Sequence, residues 1–249
     1  MTKETQYAQL VERVRSTYPV HVPGMIPADD GQLYWCDACR EINLWTYWQG
    51  RGCLHPKILL VGQDWGCPWD SGAARTMGKI AAMNRGQQVS YIQDSTNPTD
   101  THLLELFKSI GYDLTVPQPD LFFTNFVLGY RRHGTAGGFQ QAWADHDTGF
   151  FRELADLLQP RVILCLGQST TRAVLQALGR SFRCPQGYNA FLEGPDNPIS
   201  VTLAGGTQAR VFALAHCGAM GTLNRNAKAS ADLDRQKADW ARIVPFLRP

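Results

Sequence analysis

The 249-residue chain lacks both long hydrophobic runs and a large excess of one charge. No apolar run approaches the roughly 18 residues that a membrane-spanning helix needs, and residues 1–7 hold no apolar core of a signal peptide. We therefore expect a cytoplasmic protein with no membrane partner. Internal repeats and low-complexity tracts are also missing. With 44% hydrophobic and 18% charged residues, the composition is that of a globular protein and excludes wholesale disorder.

The net charge of +2 is too small to identify a partner, but the charge is unevenly divided along the chain. Residues 1–128 hold 10 Lys and Arg against 13 Asp and Glu, whereas residues 129–249 hold 14 against 9. A polyanion, if one binds, is therefore expected to meet the second half of the chain.

Seven cysteines without an export signal favour reduced thiols or a metal site over a disulfide framework. Cys36 and Cys39 form a CxxC pair, and Cys53 and His55 follow within the range of a small zinc loop. Cys67 is an alternative fourth ligand. Cys36, Cys39 and Cys53 are thus candidate ligands of a structural zinc; the alternative is that all of these cysteines are reduced thiols.

Short apolar runs alternate with helical patterns, which predicts an α/β domain with a parallel sheet. The predicted strands are 58–61, 121–128, 161–166 and 210–215, and the predicted helices are 4–18, 101–110, 139–158, 167–178 and 229–247. We expect three layers, α/β/α, around a short central parallel sheet of about four strands. Residues 1–56 are interpreted as a helix and a Cys/aromatic-rich appendage, and residues 57–249 as the main domain.

Polar side chains lie at the exits of three of the predicted strands. These are Asp64, Asn125 and His216, and parallel sheets bind their ligands at the carboxyl ends of the strands. Each residue alone has a structural explanation, since Asp caps helices, Asn forms turns and His often satisfies a core. Their joint occurrence in strand order favours a catalytic site.

Four segments resemble the uracil-DNA glycosylase superfamily in the same order along the chain. Residues 58–64, Ile-Leu-Leu-Val-Gly-Gln-Asp, are similar to its first signature, and residues 123–125, Phe-Thr-Asn, resemble its base-reading strand. Residues 162–167 resemble the strand before its conserved helix. Residues 216–225 resemble its second catalytic loop. The resemblance spans about residues 57–247.

The resemblance implies a hydrolase of DNA repair that flips a deoxyuridine out of DNA and cleaves its N-glycosidic bond. Asp64 would orient the attacking water and stabilise the cationic sugar. His216 would hydrogen-bond the uracil oxygen where negative charge collects, a contact typically worth ~10²–10³ in rate. Asn125 would read the base edge. This chemistry needs no cofactor, and we expect a monomer with DNA, single- or double-stranded, as its partner.

Further contacts are implied by the same resemblance. Gly62, Gln63 and Trp65 would line the substrate pocket. Met220 lies where the family places a wedge that enters the vacated base stack, although core filling is an equal alternative. Arg225 would hold phosphates. Outside the resemblance, residues 131–134, Arg-Arg-His-Gly, are either a phosphate-contacting loop or a solvated turn.

The chain is a divergent member by this resemblance. Trp65-Gly66 replaces the usual Pro-Tyr, whose tyrosine excludes thymine, and Gly66 is more similar to the iron–sulfur branch. No cysteine occurs between Cys67 and Cys165, so the four-cysteine cluster of that branch is not expected. Two alternatives stay open: a non-catalytic nucleic-acid-binding protein of the same fold, and a hydrolase of another nucleobase-containing substrate.

Overall fold

The computed structural model describes residues 1–19, 33–35, 54–64, 97–115, 118–131 and 139–248. Within them a central sheet has the strand order β2-β1-β3-β5-β4. The first four of these strands are parallel, and β4 pairs antiparallel to β5 at one edge. The strands are β1 (Ile58–Gly62), β2 (Leu121–Asn125), β3 (Val162–Leu166), β4 (Ile199–Thr202) and β5 (Gln208–Leu214). The prediction of an α/β fold with a parallel sheet is confirmed for a mostly parallel sheet. The structure is also consistent with the predicted three layers, α/β/α.

Seven α-helices accompany the sheet in the described residues. They are α1 (Lys3–Thr17), α2 (Pro98–Ser109), α3 (Gln141–Leu158), α4 (Gln168–Ala177), α5 (Tyr188–Glu193), α6 (Ala219–Arg225) and α7 (Asp234–Ala241). Short 3-10 helices follow at Ala204–Gly206 and Val244–Phe246. The predicted helix over 229–247 is shorter in the structure, where α7 covers Asp234–Ala241. Pro245 prevents continuation of the α-helix at its C-terminal end.

Burial explains why β1, β2 and β3 could be predicted from the sequence and β4 could not. Residues of β1 to β3 are almost completely buried, as expected for a parallel sheet covered on both faces. The short β4 alternates instead: Val201 is buried, whereas Ser200 and Thr202 are exposed. The sheet therefore has five strands rather than about four.

The strand register brings the exits of β1, β2 and β3 to one level. Gly62 lies opposite Asn125, and Val61 lies opposite both Thr124 and Cys165. Because the strands are parallel, the residues that follow them emerge at the same edge of the sheet.

The described part of the N-terminal region packs on the same core. Leu10 and Val14 of α1 are fully buried in it, and α1 lies against α3. Tyr34 forms an antiparallel bridge with Tyr130 beyond β2. No helix among the described residues is both long and apolar enough to cross a bilayer.

Candidate active site

The three predicted site residues follow strands that end at the same edge of the sheet. Asp64 comes two residues after β1, Asn125 closes β2 and His216 comes two residues after β5. β1 and β5 both pair in parallel with β3, so Asp64 and His216 emerge at the same edge of the sheet. The structure thus brings together a carboxylate, an amide and an imidazole.

Asp64 is held by two donors on a single oxygen. Arg131 donates from Nη2 to Asp64 Oδ2 at 2.7 Å, and Gln63 donates from Nε2 to the same oxygen at 2.9 Å. The Asp64 side chain is 1% exposed and that of Arg131 is 5% exposed. The carboxylate is therefore one half of a buried ion pair.

Main-chain hydrogen bonds carry the segment after β2 alongside the segment after β1. The Phe126 N–H donates to Gly62 O at 2.9 Å, and the Val127 N–H donates to Gln63 O at 3.0 Å. These bonds extend the pairing of the two strands past their ends. Arg131 reaches Asp64 because both segments run side by side.

Arg131 corrects the prediction made for residues 131–134. It is buried and paired with Asp64, so it is neither a phosphate contact nor part of a solvated turn; residues 132–134 lie outside the described residues. The signal that could have found it is its context. Residues 126–128 and Tyr130 are buried, and a charged side chain next to such an apolar run needs a partner.

The His216 ring has a defined hydrogen-bonding direction. Its Nδ1 accepts from the Gly218 N–H at 2.9 Å, so the neutral ring carries its proton on Nε2. The residue is exposed, yet the protein around it removes enough water to lower the pKa of His216. The charge of Asp64 raises this pKa by a smaller amount. The site therefore favours a neutral imidazole that donates from Nε2.

The buried side chain of Gln236 holds the backbone at His216 by hydrogen bonds. Gln236 donates from Nε2 to His216 O at 3.3 Å and to Ala215 O at 3.4 Å. Its Oε1 accepts from the Thr222 hydroxyl at 2.8 Å. A Cβ on Gly221 would lie 2.0 Å from His216 O, so α6 approaches this carbonyl as closely as only glycine permits.

The Asn125 side chain lies over the end of β1. A Cβ at Gly62 would lie 2.2 Å from Asn125 Oδ1, which explains the glycine at this position. Asn125 is 4% exposed. Gly62 therefore supports the site by making room for the amide, and Gln63 supports it by bonding Asp64.

Met220 and Arg225, both on α6, have opposite environments. Met220 is 64% exposed, which excludes the alternative that it fills the core. Arg225 is 2% exposed and donates from Nε and Nη2 to the two oxygens of Asp239, with Glu193 on Nη1. The prediction that Arg225 holds phosphates is wrong, since carboxylates occupy its guanidinium.

The predicted metal ligands Cys36, Cys39 and Cys53 lie outside the described residues, as does Trp65. In the part of the chain that the structure describes, no three His, Cys, Asp or Glu side chains could hold a metal ion together. Cys165 and Cys217 are buried, and burial raises the pKa of both thiols. Neither is placed to serve as a metal ligand or a nucleophile.

No protein-family model matches the chain, and no curated protein matches it.

Proposed function

We propose that the chain is a DNA glycosylase that hydrolyses the N-glycosidic bond of uracil or a related deaminated base after base flipping. One observation carries the proposal: Asp64, Asn125 and His216 lie at the carboxyl ends of three different parallel strands, at one edge of the sheet. Such a bond breaks through a cationic sugar and an anionic base. The site offers a group suited to each charge.

Asp64 serves the sugar side of the reaction. A carboxylate there stabilises the oxocarbenium-like sugar and accepts a hydrogen bond from the attacking water. The two donors on Oδ2 fix its orientation before substrate arrives. A fixed carboxylate needs no reorganisation during the reaction, which is the advantage of a preorganised site.

His216 serves the base side. Its Nε2–H donates to the uracil oxygen as negative charge develops there, and the lowered pKa keeps the ring neutral at neutral pH. A neutral donor stabilises the uracil anion without transferring a proton to it. The Gly218 N–H on Nδ1 selects the tautomer that can do this.

Asn125 and Met220 serve recognition. The Asn125 amide can accept from uracil N3–H with its oxygen and donate to O4 with its NH₂. Met220 is exposed on α6, four residues beyond His216, where an apolar side chain can enter the space that a flipped base leaves.

The direct test is base release from uracil-, hypoxanthine- and thymine-containing oligonucleotides, single- and double-stranded. We expect release of at least one deaminated base by the wild type and a loss of at least ~10²-fold in His216→Ala. His146→Ala is the matched control, because His146 lies on α3 and bonds Asp147 rather than the site. Equal release by wild type and His216→Ala would contradict the proposal.

The buried ion pair favours one second candidate, a non-catalytic nucleic-acid-binding protein of this fold. Arg131 offsets the charge of Asp64, and a neutralised pair stabilises a cationic sugar less than a lone carboxylate does. Tight binding of a uracil-containing duplex with no base release by the wild type would support this candidate. Release from a free nucleoside but not from DNA would instead indicate another nucleobase hydrolase.

A further inference from the structure

We propose that Arg131 is a positioning residue that acts on the reaction through Asp64, an inference that rests on the proposed glycosylase function. Arg131 contacts neither base nor phosphate in this proposal. Its guanidinium fixes the rotation of the Asp64 carboxylate, so that the carboxylate faces the sugar and the attacking water.

The contacts on Asp64 support this role. Arg131 comes from the segment after β2 and Gln63 from the segment after β1, yet both donate to Oδ2. Two donors on one oxygen restrict rotation of the carboxylate about Cβ–Cγ. The pair is almost completely buried, so water does not compete for these bonds.

Arg131 is itself held from two sides. Its guanidinium lies over the Trp143 ring of α3, with Cζ 4.5 Å from the ring centroid. The preceding residue, Tyr130, exchanges two main-chain hydrogen bonds with Tyr34, at 2.9 and 2.7 Å. A stacked guanidinium on a fixed backbone has little freedom to follow a moving partner.

Burial of Arg131 also has a free-energy cost that no hydrogen bond offsets. Its Nε is buried and has no hydrogen-bond partner among the described residues. Burying an unbonded donor costs roughly 1–3 kcal/mol. Arg225, the other buried arginine among the described residues, avoids this cost because Asp239 accepts from its Nε as well as from Nη2. Arg225 is therefore built for stability, whereas Arg131 keeps an unfavourable arrangement at the site, which is typical of a functional role.

The expected effect follows from the geometry of the reaction. Asp64 must hold a water molecule against the sugar carbon, and a misplacement of about 1 Å can cost ~10² in rate. Loss of Arg131 should leave DNA binding nearly intact, because the guanidinium is buried away from the surface. The defect should therefore appear in the maximal rate and not in half-saturation.

The experiment is a double-mutant cycle under single-turnover conditions, with a uracil-containing duplex oligonucleotide as substrate. Wild type, Arg131→Ala, Arg131→Lys, Asp64→Asn and the double variants are compared. Arg152→Ala is the matched control, since Arg152 lies on the exposed surface of α3 and pairs with Asp156. Circular dichroism reports folding, and Arg131→Lys with its double variant carries the test if Arg131→Ala does not fold.

We expect Arg131→Ala to lower the maximal rate about 10²-fold while half-saturation changes less than about 3-fold. Arg131→Lys should recover part of the rate. Each double variant should be no slower than Asp64→Asn, because Arg131 acts only through that carboxylate. Guanidinium chloride should restore part of the rate of Arg131→Ala and none in the double variant, with sodium chloride of equal ionic strength as the reference.

Three results would overturn the inference while leaving the glycosylase proposal in place. These are an unchanged rate in both Arg131 variants, additive losses in the double variant, and a loss confined to half-saturation with a weaker salt dependence. The last would make Arg131 a phosphate contact. Absence of base release by the wild type would overturn the proposed function and this inference together.

Discussion

At the scale of single residues, Asp64 and His216 differ in what they contribute to folding. The Asp64 side chain is buried against Arg131, whereas His216 is exposed. We expect Asp64→Asn and His216→Ala each to reduce base release by at least ~10²-fold. Asp64→Asn should also lower the free energy of unfolding by about 1–3 kcal/mol, because Arg131 loses its counter-charge in a buried place. Urea denaturation checks the difference, and equal stability of the two variants would contradict it.

Base choice tests the role of Asn125. Cytosine presents an acceptor at N3 and a donor at its exocyclic amine, the reverse of uracil, so a fixed amide leaves groups unpaired at roughly 1–3 kcal/mol each. Asn125→Asp replaces the NH₂ donor with an acceptor. We expect slower uracil release and a smaller ratio of uracil to cytosine release, measured by single-turnover rates in one sequence context. An unchanged ratio would remove Asn125 from base reading.

The dependence of stability on pH separates two histidines. Desolvation lowers the pKa of His216 in the folded protein below 6.5. The contribution of His216 to the free energy of unfolding is therefore fully present above pH 6.5 and is lost as the pH falls through the pKa of the folded state. The hydrogen bond to Asp147 raises the pKa of His146 in the folded protein. The contribution of His146 to the free energy of unfolding is therefore present below pH 6.5 and is lost as the pH rises through the pKa of the folded state. His216→Ala and His146→Ala should therefore change the slope of unfolding free energy against pH in opposite directions.

The measurement is urea denaturation from about pH 5 to about pH 8. The wild type is the reference at each pH. Slopes that change in the same direction in both variants would contradict the assignment of opposite pKa shifts.

At the scale of elements, α6 approaches the His216 carbonyl too closely for a side chain at Gly221. A Cβ on Gly221 would lie 2.0 Å from this backbone oxygen, so Gly221→Ala must displace α6 or the histidine. We expect a loss of about 1–3 kcal/mol of stability and a fall of at least ~10-fold in base release.

Gly149→Ala is the matched control for this prediction. Gly149 lies on the exposed face of α3, and a Cβ there would meet nothing within 4 Å. The change should leave base release intact and add about 0.5–1 kcal/mol of stability. Full activity in Gly221→Ala would show that α6 does not fix the position of His216.

Strong local patterns made the main elements predictable, whereas contacts distant in sequence made the others unpredictable. The apolar runs of β1 and β3 identify buried strands directly. The edge strand β4 is short and half exposed, so its sequence carries little strand pattern. Gly221 is typical of a turn, but in the structure it lies in α6 and allows that helix to approach the His216 carbonyl. The common position of Asp64, Asn125 and His216 was predictable because parallel strands bring their carboxyl ends to one sheet edge.

Arg131 and Arg225 show which contacts cannot be predicted from the local sequence. Arg131 meets Asp64, and Arg225 meets Asp239 and Glu193, through packing of segments that are far apart in the chain. No local sequence pattern predicts which carboxylate pairs with a buried guanidinium. The prediction for each arginine treated it as a surface cation, which is the common case for this residue type.

At the scale of the whole molecule, the metal prediction concerns residues outside the described ranges. If Cys36, Cys39 and Cys53 bind zinc, purified protein should carry about one equivalent, and Cys36→Ser should lose it. Cys184→Ser is the control, since Cys184 accepts a hydrogen bond from Gln168 and takes no part in the predicted site. Metal analysis that finds neither zinc nor iron would contradict the prediction, and visible absorbance of a brown protein would indicate an iron–sulfur cluster instead.

The sheet order also bears on when during folding the proposed site is complete. His216 follows β5, which pairs with β3 across the segment from Val162 to Arg210, whereas Asp64 follows β1, which pairs with β3 across the much longer segment from Ile58 to Val162. Parallel pairings between distant segments form slowly, because the entropy of loop closure is lost before the contacts form. A chain in which β5 has docked on β3 and β1 has not holds the imidazole without the carboxylate. We therefore expect the recovery of base release after dilution from denaturant to report the docking of β1 on β3, a later event than the formation of helices.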